Sequence, residues 1–254
     1  MRIGKSTKVA GLIAICAVIG GVGGCLGTKS TGPQLTGEGR RVLFIGNSYL
    51  YFQDIPEILR VMADSAGGDK LAVETVARPN FALVDHVFSG SAVTEIRKGG
   101  WEWVVLQQGP SSVEVNRDTL RAATKVFDSE ISKVGAKTAL FSAWPTQDRR
   151  QDFPRAIESY QLAAADVKGI FVPIATAWVA AWDRDASVQL YADALHPNAE
   201  GAYLSALVLY ARLLGKSPVG LPSRLQLRNG EVISIPAARA ALLQAAAAEA
   251  IASK

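Results

Sequence analysis

From residue 40 to residue 218, short apolar runs alternate with amphipathic stretches. Arg41 to Ile45 is an unbroken apolar run behind one arginine, the pattern of a strand buried on both faces. Asp54 and Pro56 then open a predicted helix that carries Ile58, Leu59 and Met62 and closes at Gly67-Gly68. Leu71 to Ala77 and Trp103 to Leu106 read as further strands, and so do Thr138 to Ser142 and Gly169 to Ile174. Leu120, Phe127, Ile131 and Val134 recur at helical spacing. This alternation predicts an α/β domain over 40–218, a mainly parallel sheet with helices on both faces in a three-layer, flavodoxin-like arrangement. In such sheets the reactive site lies outside the carboxyl ends of the strands. Beyond Pro218, Arg224 to Ile235 reads as a hairpin turning at Asn229-Gly230, and Ala237 to Ala252 as an alanine-rich helix. Residues 219–254 are therefore expected to form an appendage on the domain.

The first 39 residues carry a different pattern. Arg2, Lys5 and Lys8 precede an apolar run from Val9 to Ile19 and then small residues, which is the layout of an export signal over 1–24. The apolar run is short for a membrane span. It ends in Val22-Gly23-Gly24-Cys25, which resembles the lipobox of bacterial lipoproteins, where the cysteine is acylated and becomes the new first residue. Cys16 lies inside the apolar run, so Cys25 would be the only cysteine of the processed chain. The resemblance implies a lipid anchor to the cell envelope, at the outer membrane where the cell has one because Leu26 follows the cysteine. Residues 25–39 are expected to act as a polar, Gly/Ser/Thr-rich tether.

Charge narrows the choice of partners. The net charge is +4, but all three charged groups in 1–24 are basic. Without them, 24 basic side chains face 23 acidic ones, so no electrostatic signal for nucleic acid remains. Two histidines and no spare cysteine make a zinc site untenable, and no cofactor is expected. Gly215-Lys216-Ser217 does not complete a phosphate-binding loop, because Tyr210 stands where its first glycine would be.

Two segments carry candidate chemistry. Gly46-Asn47-Ser48 follows the first strand directly, which exposes a serine at the reactive edge with its amide available to an oxyanion. A serine there can also be a turn residue or a helix cap. Far downstream, Asp193-Ala194-Leu195-His196-Pro197 spaces a carboxylate and an imidazole three residues apart, so one imidazole nitrogen can bind the carboxylate while the other faces a hydroxyl. The only other histidine is His86, on an expected helix near the lip of the site, with a structural or substrate-contact role. Trp144, Trp178 and Trp182 follow expected strands and can either stack on a sugar or pack the core.

Together the two segments resemble the first and last blocks of the SGNH (GDSL-like) hydrolase superfamily. Phe44-Ile45-Gly46-Asn47-Ser48, Trp103-Val104-Val105-Leu106-Gln107 and His196-Pro197 with Gly201, Tyr203 and Leu204 are similar to an uncharacterised bacterial lipoprotein branch of it. The resemblance implies a serine esterase with Ser48 as nucleophile and Asp193 and His196 as its partners. It also implies a short acyl ester as substrate, of the O-acetyl type on a small molecule or polysaccharide. The middle blocks depart from the family pattern. Arg78-Pro79-Asn80-Phe81 has no glycine where the second block supplies an oxyanion donor, leaving Asn80 as candidate. Gln107-Gln108-Gly109-Pro110-Ser111 has serine where the third block has asparagine. Gln108 is the candidate there, as in Gln-Gly branches, with Gln107 and Ser111 as alternatives. These altered blocks keep a second reading open, a non-catalytic carbohydrate-binding lipoprotein on the same fold.

Overall fold

A computed structural model describes residues 39–67 and 70–253. The expected export signal, the lipidated Cys25 and all of the tether but Gly39 lie outside the described residues.

Five parallel strands form the central sheet: β1 (Arg40–Gly46), β2 (Leu71–Ala77), β3 (Trp103–Leu106), β4 (Lys137–Phe141) and β5 (Ile170–Val172). Their spatial order is β2-β1-β3-β4-β5. The chain leaves β1 toward one edge to make β2, then crosses back to the other side of β1 to make β3. That reversal opens a crevice beyond the carboxyl ends of β1 and β3, where a doubly wound sheet holds its ligand. Val42 to Ile45 and Val104 to Leu106 are fully buried, which is why these strands read as continuous apolar runs. The sequence-based strand at 169–174 is trimmed to β5, because Pro173 has no N–H to add to the ladder and opens the next helix.

The helices are α1 (Ser48–Tyr51), α2 (Ile55–Ser65), α3 (Leu83–Ser89), α4 (Ser91–Arg97), α5 (Glu114–Lys133), α6 (Phe153–Asp166), α7 (Ile174–Arg184), α8 (Ala199–Leu214) and α9 (Ala237–Ala252). One packed group contains α2, α7, α8 and α9, and another contains α3, α4, α5 and α6. α2 starts where expected, with the Asp54 carboxylate accepting from Glu57 N–H and Pro56 in the first turn. α5 buries Leu120, Phe127 and Ile131, the positions whose spacing predicted it. α8 is buried almost all round, between α2, α7 and α9. At the C-terminal end β6 (Arg224–Gln226) and β7 (Val232–Ser234) pair antiparallel around Asn229-Gly230, with Gly230 at φ 88° as a tight hairpin turn requires. Among the described residues no helix is long and apolar enough to cross a membrane.

Candidate active site

The site begins where β1 stops. Gly46 is needed by proximity: a Cβ there would lie 2.2 Å from Gln107 Oε1 and 2.8 Å from Leu50 Cδ1. The absent side chain lets Gln107, at the end of β3, reach the backbone of the turn. Gln107 Oε1 accepts from Asn47 N–H at 2.9 Å, and Gln107 Nε2 donates to Asn47 Oδ1 at 3.1 Å and to the Gln108 carbonyl at 2.6 Å. Asn47 is extended and caps α1, its Oδ1 accepting from Tyr49 N–H while its Nδ2 donates to the Phe81 carbonyl. The chain then turns into α1 with Ser48 as its first residue.

Ser48 Oγ lies 2.9 Å from His196 Nε2, although 148 positions separate the two residues. His196 Nδ1 lies 2.8 Å from Asp193 Oδ2. The other carboxylate oxygen, Oδ1, accepts from Leu195 N–H at 2.7 Å and His196 N–H at 2.6 Å. These bonds, led by the one to the imidazole, hold the Asp193 carboxyl down at about 2. An ionised Asp193 can only accept, so His196 Nδ1 carries the proton and Nε2 is left to accept from the Ser48 hydroxyl. Phe52 lies flat on the imidazole, with ring centroids 4.3 Å apart and planes 11° apart.

The loop that carries Asp193 and His196 is pinned by the segment after β4. Trp144 Nε1 donates to the Leu195 carbonyl at 3.0 Å, and Gln147 N–H to the Ala194 carbonyl at 2.8 Å. Within the loop Ala192 N–H donates to the His196 carbonyl, and Tyr191 bridges to Pro197. The Tyr49 hydroxyl donates to the Trp144 carbonyl at 3.2 Å, tying α1 to the same support. Burial raises the Tyr49 phenol well above its ordinary range, so it remains a neutral donor.

A cleft of about 410 Å³ has among its walls Asn47 and Tyr49, the two neighbours of Ser48 in sequence, with Asn80, Gln108, Arg149 and Leu195. Nothing among the described residues accepts from Ser48 N–H. Asn80 is exposed, sits at φ 60° and has its amide groups free of hydrogen bonds among the described residues. Gln108 is differently placed. Its Oε1 accepts from Leu83 N–H at 3.0 Å, the open start of α3, and its Nε2 donates to Ser111 Oγ at 2.8 Å. Its second Nε2 hydrogen goes to the Asn116 carbonyl at a long 3.4 Å, so the carboxamide braces its surroundings with all of its groups, and donating to an oxyanion would release Asn116 first.

One expectation is corrected. His86 is not at the lip but fully buried beneath the turn, its Nε2–H donating to the Gly46 carbonyl at 2.7 Å. Its ring meets Phe81 edge-on, and Nδ1 has no partner among the described residues. Burial first, and then the nearby Arg78 charge, lower its pKa and keep it neutral, although the bond to Gly46 acts the other way. Trp144 and Trp178 are also fully buried and stacked on each other at 4.0 Å, so they pack the core and have no face free for a sugar. Trp182 is partly buried with the Arg150 guanidinium 4.0 Å over its ring. Phe52 and the bracing role of Gln107 were not read from sequence. Once α1 is a helix, Phe52 lies four positions after Ser48, on the same face. Gln107 was read as an alternative oxyanion donor, whereas both ends of its carboxamide are spent on Asn47 and on the Gln108 carbonyl. Among the described residues no group of three His, Cys, Asp or Glu side chains could hold a metal ion.

No family model matches the sequence, and no curated protein matches it. Solved structures do match in three dimensions. A DUF4886 family protein from Bacteroides uniformis superposes with a TM-score of 0.72 at 16% identity, over 85% of this chain and 96% of that one. A candidate SGNH hydrolase from Slackia heliotrinireducens superposes at 0.58 and 22% identity, over 69% of this chain and 99% of that one. An acetyl-xylooligosaccharide esterase from Geobacillus superposes at 0.55 and 15% identity, over 72% and 97%. The catalytic mutants of that esterase replace a serine, an aspartate and a histidine, the last two three positions apart. At these identities the likeness is one of fold, and the fold is that of the SGNH hydrolases.

Proposed function

We propose that this chain is a serine esterase that removes short acyl groups, of the O-acetyl type, from carbohydrate. Ser48 is the nucleophile, His196 the general base and acid, and Asp193 the carboxylate that orients it. The observation that carries this reading is the 2.9 Å contact of Ser48 Oγ with His196 Nε2, backed by the 2.8 Å contact of His196 Nδ1 with Asp193.

The steps follow from these atoms. Ser48 Oγ bonds to the ester carbonyl carbon while its proton passes to His196 Nε2. The carbonyl electron pair moves onto oxygen, and Ser48 N–H, with Asn80 as second donor, faces the developing charge. The tetrahedral centre collapses, the C–O bond to the alcohol breaks, and His196 returns its proton to the leaving oxygen. Water then attacks acyl-Ser48 with His196 again taking the proton, which releases the carboxylic acid and restores the serine. The ionised Asp193 stabilises the imidazolium formed in each half-reaction. The acetyl-xylooligosaccharide esterase among the structural neighbours motivates the substrate class. The export signal and Cys25 motivate the setting, a lipid-anchored enzyme on the cell envelope with residues 26–39 as spacer.

The test is turnover of p-nitrophenyl acetate. Ser48→Ala and His196→Ala are each expected to lower kcat by about a thousandfold or more. Unchanged turnover in either variant would remove the assignment.

A further inference from the structure

A second cleft, of about 440 Å³, takes its walls from the end of α1, the start of α2, the edge strand β2 and the hairpin connection at Arg228. Its position relative to Ser48 follows from helix geometry. Ser48 and Tyr51 are three positions apart on one turn, which puts their Cβ atoms about 5–6 Å apart on one face. Tyr51 lines the cleft and is 42% exposed. Phe52, the next residue, is 43% exposed while it covers the His196 ring. One open aromatic ring, Tyr51, therefore stands at the cleft, and its neighbour in sequence, Phe52, stands at the His196 ring.

The polar groups of the cleft are of both kinds. The Tyr51 and Thr75 hydroxyls make no hydrogen bond among the described residues. Asp54 spends one carboxylate oxygen on Glu57 N–H and keeps the other. Glu57 is gripped by Arg60 at 2.6 Å, and the Arg228 guanidinium stands 3.7 Å from it, two-thirds exposed. Arg60 divides its guanidinium between Glu57 and Asp64 and does not line the cleft, so the lining carries two carboxylates and one guanidinium and disfavours an anionic ligand. Val73 and Ala77 add apolar floor. Unused donors and acceptors beside an open aromatic ring suit a ligand with hydroxyls on its rim and C–H groups on its face.

We infer that this cleft is a saccharide subsite, holding a neutral pyranose ring of the alcohol portion against Tyr51 while the ester carbonyl sits at Ser48. The inference rests on the esterase reading above. The cleft contributes to KM for a sugar ester and nothing to a substrate without a sugar.

The experiment uses a panel of neutral acetylated oligosaccharides (xylo-, cello- and manno-), with p-nitrophenyl acetate as the sugar-free control. The wild-type protein is expected to turn over at least one of the panel with a lower KM than the control. Tyr51→Ala should raise that KM about fivefold or more, with kcat/KM for the control held within about twofold. Arg228→Ala, on a separate segment and largely exposed, should raise the same KM. Equal effects on sugar and control, no effect of either variant, or no preference for any saccharide would overturn the subsite. Loss of the esterase reading would show differently, as control turnover that survives Ser48→Ala.

Discussion

The grip of Gln107 on the nucleophile turn yields the sharpest quantitative expectation. Gln107→Leu keeps the volume of a fully buried side chain and deletes its three hydrogen bonds. Asn47 N–H loses its partner inside the protein, at about 1–3 kcal/mol. Asn47 Oδ1 still accepts from Tyr49 N–H and the Gln108 carbonyl still accepts from the Tyr160 hydroxyl, so those losses are about 0.5–1.5 kcal/mol each. The expected destabilisation is therefore about 4 kcal/mol, or roughly 8–16 °C in Tm for a domain of this size. Urea unfolding measures it directly, and kcat, assayed where both proteins are folded, should fall about tenfold or more as Ser48 loses its register. The collision predicted for Gly46→Ala supplies an internal control. The new Cβ meets Gln107 Oε1 first, so part of its cost should vanish in a Gln107→Ala background, with coupling of at least about 1 kcal/mol. A Gln107→Leu protein within about 0.5 kcal/mol of wild type, or an additive double-mutant cycle, would refute the clamp.

Other expectations follow from the same geometry. Asp193→Asn keeps an oxygen for Leu195 and His196 N–H but cannot hold His196 in the Nδ1–H form, so kcat should fall about a hundredfold or more with little change in Tm. The side chain is 51% exposed, which argues for the lower part of the range seen for triad carboxylates. Because Asp193 titrates at about 2, an ionisation of this carboxyl should not appear in the wild-type rate profile at pH 4 or above, within about a unit. His86 has a folded pKa below that of an unfolded imidazole, near 6.5, so the unfolded chain gains a proton first as pH falls. Its contribution lowers stability from about pH 6.5 downward, by up to about 1.4 kcal/mol per pH unit until the folded ring protonates. His86→Asn should flatten the urea-unfolding profile over that window, and an unchanged slope would contradict the buried neutral ring.

The framework was legible because its determinants are local. Val42 to Ile45, Val104 to Leu106 and the Asp54-Pro56 opening of α2 each announce themselves within a few residues. Ser48 and His196 were legible as chemistry through motif spacing, not through their contact, which depends on strand order and on the pinning of Ala194 and Leu195. α8 has no apolar stripe to mark its face, because it is buried almost all round. α4, which follows α3 across Gly90, is seven residues long, too short for a period to emerge. The anchoring of Gln108 was not legible, because the open N–H at Leu83 that takes its oxygen exists only once α3 is in place. His86 was set at the lip of the site by its place on a helix after the Asn80 segment, whereas the tertiary packing turns it inward beneath the Gly46 turn.

The central claim is that the imidazole of His196 activates the hydroxyl of Ser48. Treating the protein with a fluorophosphonate and reading the modified peptide by mass spectrometry tests it most directly. The expected result is a single adduct on Ser48, formed about a hundredfold or more slower in His196→Ala. An adduct on another residue, or labelling of Ser48 at the same rate without His196, would contradict it.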